Sequence, residues 1–230
     1  MSIMVQYLHH SGVSVKTHNH FLVFDYDGIP KNYSQPFKEN NTIVFVSHRH
    51  NDHFTPEIFS WKDKKPSLEI VLSSDVPQKK GCHSIHPDKT LKLEETKIST
   101  LESTDEGVAF LVKTDGISIY HAGDLNWWHW NGESSAYNKD IEQRYRHEIE
   151  KMRGMQIDFA FVPLDPRLDD AYKLGLDFFA RTVDVKTIFP IHLWENYGLI
   201  KKLKSDPNAR NYANRIMEIS APGQIFSFDR

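Results

Sequence analysis

The sequence predicts a mixed α and β fold, on three observations. Short β-branched and aromatic runs dominate the chain up to Tyr120, helical periodicity is concentrated after Lys139, and strands alternate with helices beyond that point. The strand-like runs are 5–8, 13–17, 21–25, 43–46, 70–72, 97–101, 108–112 and 117–120, each bounded by turn residues. Residues 139–152 place charges at three- and four-residue spacing, 175–182 is amphipathic, and Pro207 divides helical pattern at 199–206 from that at 208–216. Strands at 158–162, 187–190 and 224–228 alternate with these helices, and no internal repeat or low-complexity linker interrupts the chain.

A chain of 230 residues can bury about 70 to 75% of its unfolded surface around one core, so a single domain over residues 1–230 is expected. Hydrophobic residues at 39% and charged residues at 26% exclude a disordered composition. Lys+Arg at 28 against Asp+Glu at 31 lacks the basic excess of a nucleic-acid binder. No segment approaches the ~20 apolar residues that span a bilayer. The start, Met1 to Gln6, has no basic region followed by an apolar stretch, so a cytoplasmic protein is expected. Cys82 is the only cysteine, which excludes an intramolecular disulfide and leaves a small buried hydrophobe as its simplest role. Its neighbours His83 and His86 are expected in a surface turn between Val76 and Lys89, punctuated by Pro77, Gly81 and Pro87.

The chemistry-bearing motif follows the run 43–46, Ile-Val-Phe-Val, which reads as a strand covered on both faces. Next come Ser47-His48-Arg49-His50-Asn51-Asp52-His53, with four metal-competent side chains between positions 48 and 53. In extended chain His48 and His50 point to one side and Arg49 to the other. Asp52 and His53 reach a common point only after the chain turns, so the motif supplies two ligand pairs. Neutral imidazoles with a carboxylate suit zinc, with iron and manganese also compatible.

His48-x-His50-x-Asp52-His53 after a hydrophobic strand resembles the signature of the metallo-β-lactamase-fold hydrolases. Later landmarks keep that family's order: Gly123-Asp124 follows the strand 117–120, and His192 follows Thr187-Ile188-Phe189-Pro190-Ile191. The resemblance spans nearly the whole chain and implies an α+β, four-layer αββα sandwich, two sheets face to face with helices outside both. It also implies His48, His50, Asp52, His53, Asp124 and His192 as metal ligands, Asp124 lying between two sites that hold one or two Zn2+ ions, or Mn2+ or Fe. His10, in Leu8-His9-His10-Ser11-Gly12, resembles the short motif that opens lactonase-like and phosphodiesterase-like members.

One landmark is missing. The family's lone histidine should stand near the end of 97–101, where this chain reads Glu102-Ser103-Thr104-Asp105-Glu106. No histidine occurs between His86 and His121, so the first metal site lacks its third imidazole unless Glu102, Asp105 or a residue from elsewhere substitutes. The favoured expectation is one strong site on Asp52, His53, Asp124 and His192 beside a weak or empty neighbour.

A cation so held lowers the pKa of a bound water towards ~7, which makes hydrolysis the natural chemistry. Asp52, Asp124 and His10 are the candidate catalytic groups, and the substrate is expected to be a small ester, lactone or phosphodiester. Arg49 and Arg167 could meet an anionic one. The aromatic run Trp127-Trp128-His129-Trp130 is expected to wall the pocket, Trp127 in particular, with Trp194 and Asn196 on the other side. His129 is expected to be packed among the tryptophans rather than to ligate. Asp165 is expected either to orient a ligating imidazole or to cap a turn before Pro166. The competing readings are a di-iron redox protein of the same fold and a non-catalytic metal-binding or sensing protein. A nuclease is disfavoured by length and charge, and a classical β-lactamase by the lack of an export signal. Oligomeric state is not legible in the sequence.

Overall fold

The computed structural model describes residues 2–31, 33 and 35–229. The first strands are β1 (Ser2–His9), β2 (Gly12–Lys16), β3 (Phe21–Phe24), β4 (Thr42–Val46), β5 (Glu69–Ser73) and β6 (His83–Ile85). They are followed by β7 (Thr90–Leu93), β8 (Thr96–Glu102), β9 (Val108–Thr114), β10 (Ile117–His121), β11 (Gln156–Pro163), β12 (Asp184–Ile191) and β13 (Ile225–Asp229). Helices are α1 (Gln35–Lys38), α2 (Glu57–Lys64), α3 (Ser135–Glu150), α4 (Leu174–Thr182) and α5 (Gly198–Lys204).

Two sheets form, one ordered β13-β1-β2-β3-β4-β5-β6 and the other β12-β11-β10-β9-β8-β7. Pairing in the first is antiparallel through β3 and parallel from β3 to β6. In the second it is parallel through β12, β11 and β10 and antiparallel beyond. Strands β1, β3, β4 and β5 therefore run one way in the first sheet, as β8, β10, β11 and β12 do in the second.

The alternation along β4 shows how the layers arise. Ile43 and Phe45 enter the core between the sheets, where Phe45 packs on Phe24 and Phe110, whereas Val44 and Val46 face the outer cluster under α2 with Ile58 and Trp61. A strand buried on both faces has no polar positions, hence the uninterrupted apolar run. On the far side α3 and α4 cover the second sheet, with Tyr120 stacked on Phe179 at 5.1 Å. The result is the four-layer αββα sandwich.

The helical expectation at 208–216 is corrected: the segment makes only two 3₁₀ turns, Pro207–Ala209 and Ala213–Arg215, separated by Arg210 to Tyr212. Pro207 sets φ for the first turn, and Asp206 caps it by accepting from the Asn208 N–H at 2.8 Å. The turn expected between Val76 and Lys89 contains edge strand β6, where His83 pairs with Glu69 at 3.0 Å and Cys82 is half-buried.

Candidate metal centre

Every predicted ligand, together with Asp25, Asp105 and Asp165, lies just past the carboxyl end of a strand of the two parallel-running sets. His10 follows β1, Asp25 follows β3, the 48–53 motif follows β4, Asp105 follows β8, Asp124 follows β10, Asp165 follows β11 and His192 follows β12. The two sheets meet backbone to backbone here. Val108 N–H donates to Ser47 O at 2.9 Å, and His192 N–H to His10 O at 3.1 Å. Gly107 (φ +73°) sits so close that a Cβ would lie 1.9 Å from Ser47 O, and one on Gly123 (φ +51°) would lie 2.6 Å from Ser47 Cβ. Only glycine fits either position. His10, Asp25 and His192 also adopt left-handed φ values, of 47°, 45° and 62°, conformations that cost energy in non-glycine residues and cluster at functional sites.

Three imidazoles are held by the same device. His48 Nδ1–H donates to Ser47 Oγ at 3.0 Å, His53 Nδ1–H to Asp25 at 2.8 Å and His192 Nδ1–H to Asp165 at 2.7 Å. The Ser47 hydroxyl itself donates to Asp25 at 2.6 Å, so it is an acceptor for His48. With each Nδ1 protonated, each Nε2 lone pair is free and points at Asp124. The Nε2 atoms of His53, His192 and His48 lie 3.1, 3.4 and 3.6 Å from its carboxylate oxygens.

Among the described residues, His10, His48, His53 and His192 Nε2 and Asp124 Oδ1 are buried without a hydrogen-bond partner. Unpaired buried polar atoms are rare and costly, and the His48, His53 and His192 Nε2 atoms meeting at Asp124 are what a cation's donor set looks like. Ligand atoms of His10, Asp52, His53 and His192 lie within 4.8 Å of one another, as do those of His48, His53 and Asp124. The residues present therefore fit a metal.

The electrostatics of His53 run opposite to those of His48 and His10: burial lowers it, but Asp124 and Asp25 outweigh burial and raise it well above its ordinary value, so a cation would displace a proton there. Burial pushes the His48 imidazole down to about 4, with His53 beside it adding to the shift, so it is neutral and able to ligate near pH 7. His10 is likewise lowered, by burial first. Burial alone would raise Asp124 and Asp52, but His53 and His192 bring Asp124 well below the ordinary carboxylate range, and His10 and His53 do the same for Asp52. Asp165 is lowered to about 2: burial raises it, and His192 and Arg167 outweigh burial.

Asp105 meets the place of the absent histidine. Its carboxylate, with His50 and Asp124, forms a group of ligand atoms within 4.8 Å, and His48, His50 and Asp52 form another. Glu102 instead lines a surface cleft with Arg144, His147 and Glu148. Asp25 was not singled out by the sequence reading. Its only signal was a carboxylate closing the otherwise apolar run Phe21-Leu22-Val23-Phe24.

The tryptophan run divides. Trp127 turns away from the imidazoles to pack against Tyr145 and Phe178, with Arg146 over its ring, so its expected place in the pocket wall is corrected. Trp128 takes that place, its ring 5.4 Å from His192 and its Nε1 donating to Asp124 O at 2.9 Å. Trp194 forms the opposite wall, 4.7 Å from the His10 ring, while Asn196 is exposed beyond it. His129 joins none of the ligand groups, and His121 is a buried structural residue that donates from Nε2 to Ser11 O at 2.9 Å and accepts at Nδ1 from Gly123 N–H. Arg49 is tied at the surface to Glu106. No helix among the described residues is long and apolar enough to cross a membrane.

Residues 4–129 match the family described as the beta-lactamase superfamily domain. No curated protein matches the chain. Among solved structures it resembles Igni18, a novel metallo hydrolase from the hyperthermophilic archaeon Ignicoccus hospitalis, at 15% identity over 100% of both chains with a TM-score of 0.66. It also resembles the metallo-beta-lactamase fold protein YhfI from Bacillus subtilis, at 14% identity over 99% of both chains with a TM-score of 0.65. A diphosphatase of the PhnP family aligns at 12% identity over 99% of this chain and 98% of its own, with a TM-score of 0.53. With more than half of its length matched by the family and the metallo-β-lactamase fold reproduced from end to end, the chain belongs to the beta-lactamase superfamily.

Proposed function

We propose that the protein is a metal-dependent hydrolase of a small ester, lactone or phosphodiester. The observation that carries this reading is the convergence of the unpaired Nε2 atoms of His48, His53 and His192 on Asp124. Asp52, His53, Asp124 and His192 would hold one ion, and His48, His50, Asp105 and Asp124 a second. A bound divalent ion, Zn2+ or alternatively Mn2+ or Fe, supplies an acidified water and an electrophile for the substrate oxygen.

The chain's own groups do the rest. Asp52 is partly exposed and ionised, and it takes the proton of the attacking water. His10, its Nε2 3.4 Å from Asp52, takes that proton over from Asp52 and passes it to the departing oxygen. Asp25 and Asp165 keep the His53 and His192 rings in the ligating tautomer, and the Trp128 and Trp194 walls restrict bulk water at the imidazoles.

A second reading, a di-iron redox protein, is favoured by one observation: Asp105 makes the outer ligand group richer in oxygen than a three-histidine site. Elemental analysis of protein purified without chelator, with a turnover screen on bis-p-nitrophenyl phosphate, an aryl ester and a lactone, separates the readings. The hydrolase reading expects bound metal, turnover abolished by chelator and restored by metal, and loss of metal in His53→Ala and His192→Ala. Two irons without hydrolysis would support redox chemistry, and metal without any turnover would support sensing.

A further inference from the structure

We propose that Arg167, held against the rings of Trp130 and Trp194, is the group through which this site selects substrates bearing an anionic oxygen group, a phosphoryl or a carboxylate. The inference rests on the hydrolase reading for the reaction, whereas the anion subsite is testable by binding alone.

The guanidinium carbon lies over two indoles, 5.6 Å from the Trp130 ring centroid and 4.6 Å from that of Trp194. One of those indoles, Trp194, is a wall of the metal centre, and the other backs the opposite wall, Trp128. Trp130 stacks on Trp128, whose ring lies 5.4 Å from His192, and Trp194 lies 4.7 Å from His10 and 5.8 Å from His192. The planar cation is thus carried at the mouth of the site, and its side chain remains 46% exposed.

Its donors are used asymmetrically. Nε donates to both oxygens of Asp165 at 3.0 Å and Nη2 to one of them at 2.6 Å, which occupies one edge of the fork. Among the described residues Nη1 donates to nothing, so the end of the fork presents parallel N–H groups to solvent, the geometry that reads a carboxylate or phosphoryl oxygen pair. Neutralising Asp165 does not by itself account for this arrangement. That carboxylate already accepts from His192 Nδ1, Trp194 Nε1 and the Arg167 backbone N–H. Nor does it require an exposed guanidinium to contact two tryptophans. Those contacts and the buried carboxylate fix the rotamer beforehand, so little side-chain freedom remains to be lost on binding. Arg49, by contrast, has no aromatic contact and is spent on Glu106 at the surface.

The test is titration of metal-loaded protein with inorganic phosphate, phenylphosphonate and benzoate, followed by tryptophan fluorescence and calorimetry, with metal content measured for every variant. Wild-type protein is expected to bind at least one of these anions, and the stronger partner identifies phosphoryl or carboxylate as the group read. Arg167→Met should weaken that binding about 10- to 100-fold at unchanged metal content, and Arg167→Lys should recover only part of it. With a substrate of the same charge, the effect should fall on KM more than on kcat. Equal binding by wild type and Arg167→Met, or no anion binding by wild type, overturns the proposal. If Arg167→Met sheds metal, Trp130→Leu decides, since it leaves the Asp165 pair in place: anion binding weakened several-fold supports the proposal, and unchanged binding overturns it. Failure of the hydrolase reading would look different, as Arg167-dependent anion binding without turnover of any substrate.

Discussion

His53 donates its Nδ1–H to Asp25 at 2.8 Å, and both side chains are fully buried. Asp25 also accepts from Ser47 N at 2.7 Å and Ser47 Oγ at 2.6 Å, so one carboxylate sets the ring of His53 and, through Ser47, the ring of His48. Asp25→Ala is therefore expected to lower metal affinity about 10- to 100-fold although it touches no ion. Competition with a chromophoric chelator measures this. Wild-type affinity in the variant would show that the imidazoles need no such support.

Asp105 is expected to decide stoichiometry. In Asp105→Ala the bound metal, measured by elemental analysis after dialysis, is expected to fall to about half the wild-type value, because the second ion would lose the carboxylate that stands with His50 and Asp124. Asp105→His should restore two equivalents and shift preference towards zinc. An unchanged ratio in the alanine variant would remove Asp105 from the ligand set.

Trp127 and Trp128 are neighbours in sequence and opposites in role. Trp127→Ala is expected to cost about 2 kcal/mol of stability through lost packing on Tyr145 and Phe178, with KM unchanged. Trp128→Ala should instead raise KM, since its ring faces His192. Denaturant unfolding combined with steady-state kinetics checks the pair, and a KM effect at Trp127 alone would reverse the assignment.

At the far end of the sandwich, Asp115 on the β9–β10 turn accepts hydrogen bonds from Thr17, Asn19 and His20 and so ties the two sheets together. Burial raises its carboxyl, but these donors bring it below its ordinary 3.8. A group whose folded pKa is depressed stabilises the fold above its unfolded pKa and loses that contribution as pH falls through the folded value. Asp115→Asn is thus expected to cost about 2 kcal/mol at pH 7, with the gap to wild type closing as pH drops below 4. A gap independent of pH would mean that the charge is not what binds the sheets.

Most of the frame was legible because β4, β10 and β12 carry apolar runs too long for a solvated face, with the ligating residues at their ends. Helix α2 was missed because only Ile58 and Trp61 of its eight residues are buried, too few to set up a period. The choice between Glu102 and Asp105 could not be read from the chain, since Glu102 ends β8, Asp105 lies just beyond it, and only the turn through Gly107 determines which carboxylate faces Asp124. Asp25 was hidden for another reason: at the end of a run it reads as a strand terminus, and its task depends on a serine and two histidines more than twenty residues away.

The close approach of Gly107 and Gly123 to Ser47 makes the sandwich's own thickness a gauge. The imidazoles of His48 and His53, supplied by one sheet, face the Asp124 carboxylate supplied by the other. Thinning the interior, for example with Phe45→Ala, would alter the bite offered to a cation from a distance. The filling of the hydrophobic interior thereby becomes a determinant of which ion is preferred.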